Sequence, residues 1–104
     1  MTTIALGQLS DYTSGIPVQV AHEQRVLVVV RIEDSLYVLD DKCSHEDFPL
    51  SEGDVDVATC AIECVRHGAM FSLATGEPNS FPATRPVPTY EVIDRDGQLE
   101  VVVP

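Results

Sequence analysis

The sequence predicts an all-β fold. Stretches rich in Val and Ile alternate with Gly, Pro, Asn and Asp turn signals, and no segment keeps helical periodicity through three turns. The 104 residues suffice for a single small domain spanning 1–104, with a modest core and no space for a separate catalytic domain.

Taken in order, Thr3–Leu9 reads as a first strand and Pro17–Ala21 as a second. Arg25–Ile32 and Leu36–Leu39 flank the turn Glu33-Asp34-Ser35 and form a hairpin, with the apolar run Val26–Val30 as core strand. Asp40–Asp54 is polar, holds Pro49 and Gly53, and reads as a loop. Thr59–Glu63 is a short strand that points Cys60 and Ile62 the same way. A second loop, Cys64–Gly68, leads to a short strand Met70–Leu73 and a turn at Ala74-Thr75-Gly76-Glu77. Pro78–Pro88 has four prolines in eleven positions, which excludes it from a ladder interior and makes it an ordered covering loop. Thr89–Ile93 and Gln98–Val103 flank Asp94-Arg95-Asp96-Gly97 and form a C-terminal hairpin whose late Gly suits positive φ. Short strands separated by turns fit a small sandwich or barrel, and a core of this size often needs a staple.

Charge narrows the partners. Six Lys+Arg against 17 Asp+Glu give a formal charge of −11. Nucleic acid is excluded, because its binding is driven by counterion release to Lys and Arg. Anionic membrane surfaces are disfavoured for the same reason, and basic protein surfaces are favoured. The N-terminal stretch lacks the basic and apolar regions of a secretory signal, and Val26–Val30 is far too short to span a bilayer. Three cysteines are too few for a disulfide framework and suit thiol ligands. A cytoplasmic monomer is expected.

The chemistry lies in two clusters, Cys43-Ser44-His45 and Cys64-Val65-Arg66-His67, each offering one thiolate and one imidazole beside a strand. Mixed sulfur and nitrogen donors point to zinc or to an iron–sulfur cluster. Paired zinc ligands are usually two to four residues apart, and one residue between Cys43 and His45 is tight for chelating a single ion. If the cysteines go to one iron and the histidines to another, each loop spans two metals and the spacing makes mechanical sense. Two irons held by two Cys and two His is Rieske ligation. Cys43, His45, Cys64 and His67 are therefore the candidate ligands of one [2Fe–2S] cluster, with a structural zinc module as the competing reading.

At these residues the chain resembles the Rieske-type ferredoxins, particularly the small ferredoxin components of bacterial ring-hydroxylating dioxygenase systems. The likeness rests on Cys-x-His, eighteen intervening residues, Cys-x-x-His-Gly, then Phe71 and the Thr75-Gly76-Glu77 turn. Pro82-Ala83 and Pro86 resemble the family's proline loop over the cluster, and the match runs from Leu36-Tyr37-Val38 to the C-terminal hairpin. The resemblance implies an antiparallel β-sandwich of three sheets with two cluster-binding loops at one tip, the cluster-binding part covering about residues 40–88. It implies no catalysis, but one-electron carriage from a flavin-dependent reductase to a terminal non-haem iron oxygenase, with His45 and His67 at the exposed exit. A small subunit of a stable oxidoreductase complex and a cluster-assembly or redox-sensing role are the alternatives.

Ligand charge sets the potential. Neutral imidazoles leave the oxidised site neutral rather than doubly negative, which raises the potential from about −400 mV into a range of roughly −150 to +300 mV. High-potential relatives, as the resemblance implies, add a disulfide between the loops and hydroxyl donors near the sulfurs. The corresponding positions here are Phe48 and Arg66 for the disulfide, and Ala69 and Phe71 for the hydroxyls. A centre near about −150 mV is expected. Cys60 reads as a small core hydrophobe, His22 as a solvated turn residue, and Tyr37 and Tyr90 as packing. Arg66 suits either partner docking or a carboxylate pair.

Overall fold

The computed structural model describes residues 2–42, 49–64, 68–78 and 85–104. Among these residues ten strands form three antiparallel sheets, as expected, and there is no α-helix. The first sheet joins β1 (Thr2–Gly7), β10 (Gln98–Val103) and β9 (Val92–Arg95), with β10 central. The second runs β2 (Val18–His22), β3 (Arg25–Ile32), β4 (Ser35–Asp40) and β8 (Thr89–Tyr90). The third is small: β5 (Val55–Asp56), β6 (Ala61–Glu63) and β7 (Met70–Ser72).

The second sheet is the middle layer, and its side-chain alternation supplies two cores. Successive residues of a strand point to opposite faces. On β3 the fully buried Leu27 and Val29 join one core while Val28 and Val30 join the other. On β4 Val38 and Leu39 divide the same way. The first-sheet core adds Ile4, Leu6, Tyr12, Leu99, Val101 and Val103. Against the opposite face pack Ile62 and Phe71 of the third sheet, with Leu50, Cys64, Leu73 and Val87. A strand covered on both faces reads as a continuous apolar run rather than an alternating one, which explains Leu27–Val30. Val26, expected in the same core, is 43% exposed at the strand's start. Burial of Phe71 alone is worth about 1.5–3 kcal/mol, a large share for a sheet whose strands are two or three residues long.

Several strand bounds differ from the sequence reading, three of them for clear physical reasons. The strand expected over Thr89–Ile93 is broken at Glu91: Tyr90 pairs with Val38 in the middle sheet, whereas Val92 pairs with Val101 in the first. One extended segment thereby crosses between layers. The C-terminal connection is tighter than four residues, since Arg95 pairs directly with Gln98. Asp96 (φ 55°) and Gly97 (φ 90°) both take positive φ, as a mirror-image two-residue hairpin turn requires. The strand expected over Thr59–Glu63 begins only at Ala61, because Cys60 takes φ 56° and is turned out of extended geometry.

Candidate metal centre

The stems of the two ligand loops are built differently. The first leaves β4, where Asp40 N–H donates to the Pro88 carbonyl (3.0 Å) and Asp41 N–H to the Val26 carbonyl (3.0 Å). The Asp41 carboxylate then turns inward and accepts the Ser51 N–H at 2.6 Å, the Ser51 hydroxyl at 2.6 Å and the Gln19 side-chain amide at 2.7 Å. Ser51 lies in the 3-10 turn Leu50–Glu52, beyond the loop, so the carboxylate ties the loop's two ends together. On the outer side the Tyr90 hydroxyl donates to Asp40 at 2.6 Å, and Arg25 sits over the Tyr90 ring at 5.8 Å. Burial, seconded by the Asp40 carboxylate, pushes the Tyr90 phenol up to about 12. Tyr90 thus does more than pack.

The second stem is closed by backbone alone. Cys64 N–H donates to the Ala69 carbonyl (2.7 Å), and Gly68 N–H donates back to the Cys64 carbonyl (2.9 Å). Gly68 has φ +72°, a conformation natural to glycine, so the Gly of Cys-x-x-His-Gly has a local reason. The two stems meet where Glu63 N–H donates to the Asp54 carbonyl at 2.8 Å.

Of the four candidate ligands, Cys64 is placed by the described residues: it follows β6 directly and has no exposure. It shares its core with Leu50, Ala69, Phe71 and Val87, an apolar wall against water. Cys43, His45 and His67 lie outside the described residues, as do Phe48, Arg66, Pro82 and Ala83. Pro86 is exposed beside the buried Val87, whose N–H donates to the Gly76 carbonyl at 2.8 Å. Ala69 and Phe71, the positions expected to lack hydroxyl donors, are both fully buried beside Cys64.

Cys60, read from the sequence as a core hydrophobe within a strand, lies instead on the turn before β6 at the edge of the core. It is partly buried against the same cluster as Cys64, and neither cysteine is in a disulfide. Its thiol, hydrogen-bonded to the Tyr37 phenol, raises that tyrosine's pKa. His22 ends β2 half-buried, beside a cleft of about 570 Å³ lined also by Arg25, Asp40 and Lys42. The sequence missed Asp41 and Ser51, because a carboxylate in a polar loop ordinarily reads as solvated.

These features fit an iron–sulfur site. A buried thiol held by a tight backbone turn in an apolar wall suits a soft metal–sulfur bond shielded from water. Among the described residues no group of three or more His, Cys, Asp or Glu side chains offers a competing metal site. Among these residues, too, no helix is long and apolar enough to cross a membrane.

Comparison with known proteins points the same way. The family model for the Rieske [2Fe-2S] domain matches residues 2–91. The anthranilate 1,2-dioxygenase ferredoxin subunit of Burkholderia cepacia is 37% identical over 98 residues, covering 94% of this chain and 89% of that protein. The ferredoxin of carbazole 1,9a-dioxygenase from Nocardioides aromaticivorans IC177 superimposes with a TM-score of 0.91 at 29% identity, covering 97% of each chain. A chain in a complex of reduced oxygenase and oxidized ferredoxin of carbazole 1,9a-dioxygenase aligns with a TM-score of 0.88 at 34% identity, over 95% of this chain and 91% of that one. With this fold, this buried cysteine and these relatives, the chain belongs to the Rieske [2Fe-2S] domain family, and is an electron-transfer component with one [2Fe–2S] cluster rather than a catalytic enzyme.

Proposed function

We propose that this protein takes single electrons from a flavin-dependent reductase and passes them to the terminal non-haem iron oxygenase of a ring-hydroxylating system. Cys43 and Cys64 are the thiolate ligands in this reading, and His45 and His67 the imidazole ligands. The observation that carries it is the position of Cys64, buried at the end of β6 on a turn closed by Ala69 and Gly68. Its partner motif, Cys43-Ser44-His45, begins two residues after the carboxylate that ties the first stem together. The oxygenase as recipient is supported by the oxygenase–ferredoxin complex among the structural relatives, and by the dioxygenase system named for the B. cepacia subunit.

When bound, the cluster supplies one reversible electron. The chain's own residues set the terms of that exchange. Leu50, Ala69, Phe71 and Val87 exclude water from the Cys64 side, and Ala69 and Phe71 offer no hydroxyl to stabilise the reduced charge. The formal charge of −11 steers the carrier toward basic docking surfaces, where redox partners form small and brief interfaces. In this reading the whole chain, 1–104, is one domain acting as a cytoplasmic monomer, with residues 40–88 holding the cluster.

Ligand replacement tests the assignment. The anaerobically reconstituted protein should be reddish-brown, whereas Cys43→Ser and His67→Ala should lose colour, bound sulfide and thermal stability, since the metal joins two loops. Cys60→Ser should keep all three. Full cluster content in both Cys43→Ser and His67→Ala would refute the ligand set.

A further inference from the structure

Asp41 is the one buried polar or charged side chain among the described residues, 8% exposed, and electron carriage as such gives it no role. A carboxylate taken out of water is costly unless its lone pairs are satisfied. Here they are: Oδ1 accepts the Ser51 N–H, and Oδ2 accepts both the Ser51 hydroxyl and the Gln19 amide, all within 2.6–2.7 Å. Such short bonds to an ionised acceptor are the strong class. They join three separate elements: the end of β4, strand β2 through Gln19, and the turn Leu50–Glu52.

The position matters more than the strength. Asp41 and Ser51 are ten residues apart, and Cys43 and His45 fall between them in the chain. From Ser51 the path continues without slack into the second stem. Gly53 abuts the Glu63 carbonyl so closely that a side chain there would overlap it, and the Asp54 carbonyl holds the Glu63 N–H. Glu63 immediately precedes Cys64. A continuous chain of contacts therefore runs from the residue two before Cys43 to the residue one before Cys64.

We propose that the Asp41 carboxylate is a positioning residue: by clasping Ser51 it fixes the first ligand loop against the second, and so sets the cluster's geometry and its retention. The proposal rests on the ligand assignment above, since only a cluster shared by both loops makes their relative placement matter. Metal ligands are held by outer partners whose loss typically costs about 10-fold or more in metal affinity.

The test uses the cluster-loaded protein and two readouts, the line shape of its reduced electron paramagnetic resonance spectrum and the rate of iron release to a chelator. Asp41→Ala should release iron about tenfold faster than the wild type. Ser51→Ala changes no charge and keeps the backbone bond to Asp41, so it should fold even if Asp41→Ala does not. It should broaden the spectrum and speed release by about threefold, and Ser51→Thr, which keeps the hydroxyl, should restore both. A Ser51→Ala protein that melts earlier but matches the wild type in line shape and release would make the clasp merely structural and overturn the proposal. So would a Ser51→Thr protein no better than Ser51→Ala. A wild type that binds no cluster would fell the ligand assignment and this proposal together, whereas a loaded wild type with a silent Ser51→Ala fells this proposal alone.

Discussion

Gly53 presses its bare Cα against the carbonyl oxygen of Glu63, and a Cβ at that position would overlap it. The backbone at Gly53 is ordinary and extended (φ −90°, ψ 175°), so glycine is required by space and not by φ. Through this contact the end of the first ligand segment and the start of the second touch backbone to backbone.

Gly53→Ala should therefore cost about 3 kcal/mol, the upper part of the range for overpacking a tight site, because neither neighbour is a flexible side chain. Thermal denaturation of the loaded protein checks this. A change under about 0.5 kcal/mol, the size of a neutral surface substitution, would show that the stems separate easily.

The absence of hydroxyl donors beside Cys64 should hold the reduction potential low. Ala69→Ser with Phe71→Tyr places two hydroxyls at fully buried positions in the Cys64 core. Voltammetry should show a rise on the order of tens of millivolts, since hydrogen bonds to cluster sulfurs stabilise the added electron. An unchanged potential would count against this account.

All three tyrosines of the chain are shifted upward. Tyr12 is raised by burial with help from Asp11, Tyr37 by the Cys60 thiol, and Tyr90 to about 12 by burial and Asp40. A folded pKa above the unfolded value of about 10 means the protonated phenol favours the fold. Tyr90's contribution is complete below pH 10 and is lost as pH rises through about 12. The thermal midpoint should fall across that window, and Tyr90→Phe should flatten the fall. Half-formed tyrosinate absorbance at pH 10 in the folded protein would contradict these shifts.

Much of the fold was legible because its signals are local. Gln98–Val103 and Arg25–Ile32 are strands with the expected bounds, since period-2 or continuous apolar residues between turn residues leave little choice. The break at Glu91 was not legible. A strand that passes from one sheet to another keeps the same extended composition, and only the partners Val38 and Val101 reveal the switch. In the candidate site, the thiols and imidazoles proposed as ligands stood out in the sequence by type and spacing. Asp41 did not, because a buried carboxylate is recognised by its donors, and Ser51 and Gln19 are ten and 22 positions away. Cys60 was read as interior, and its left-handed φ places it on the turn before β6 at the core's rim.

A formal charge of −11 predicts that encounter with a basic partner is electrostatically steered. The second-order rate of reduction by a flavin-dependent reductase should fall about tenfold or more from 10 mM to 500 mM salt, as the Debye length shrinks from about 30 Å toward a few Å. A flat rate across that range would mean that shape alone guides docking.

The most direct measurement is the electron paramagnetic resonance spectrum of the dithionite-reduced protein. Ligation of one iron by Cys43 and Cys64 and of the other by His45 and His67 predicts a rhombic signal whose average g value lies below that of all-cysteine [2Fe–2S] sites. An average g value matching all-cysteine ligation, or no signal from protein that carries iron and sulfide, would contradict the account.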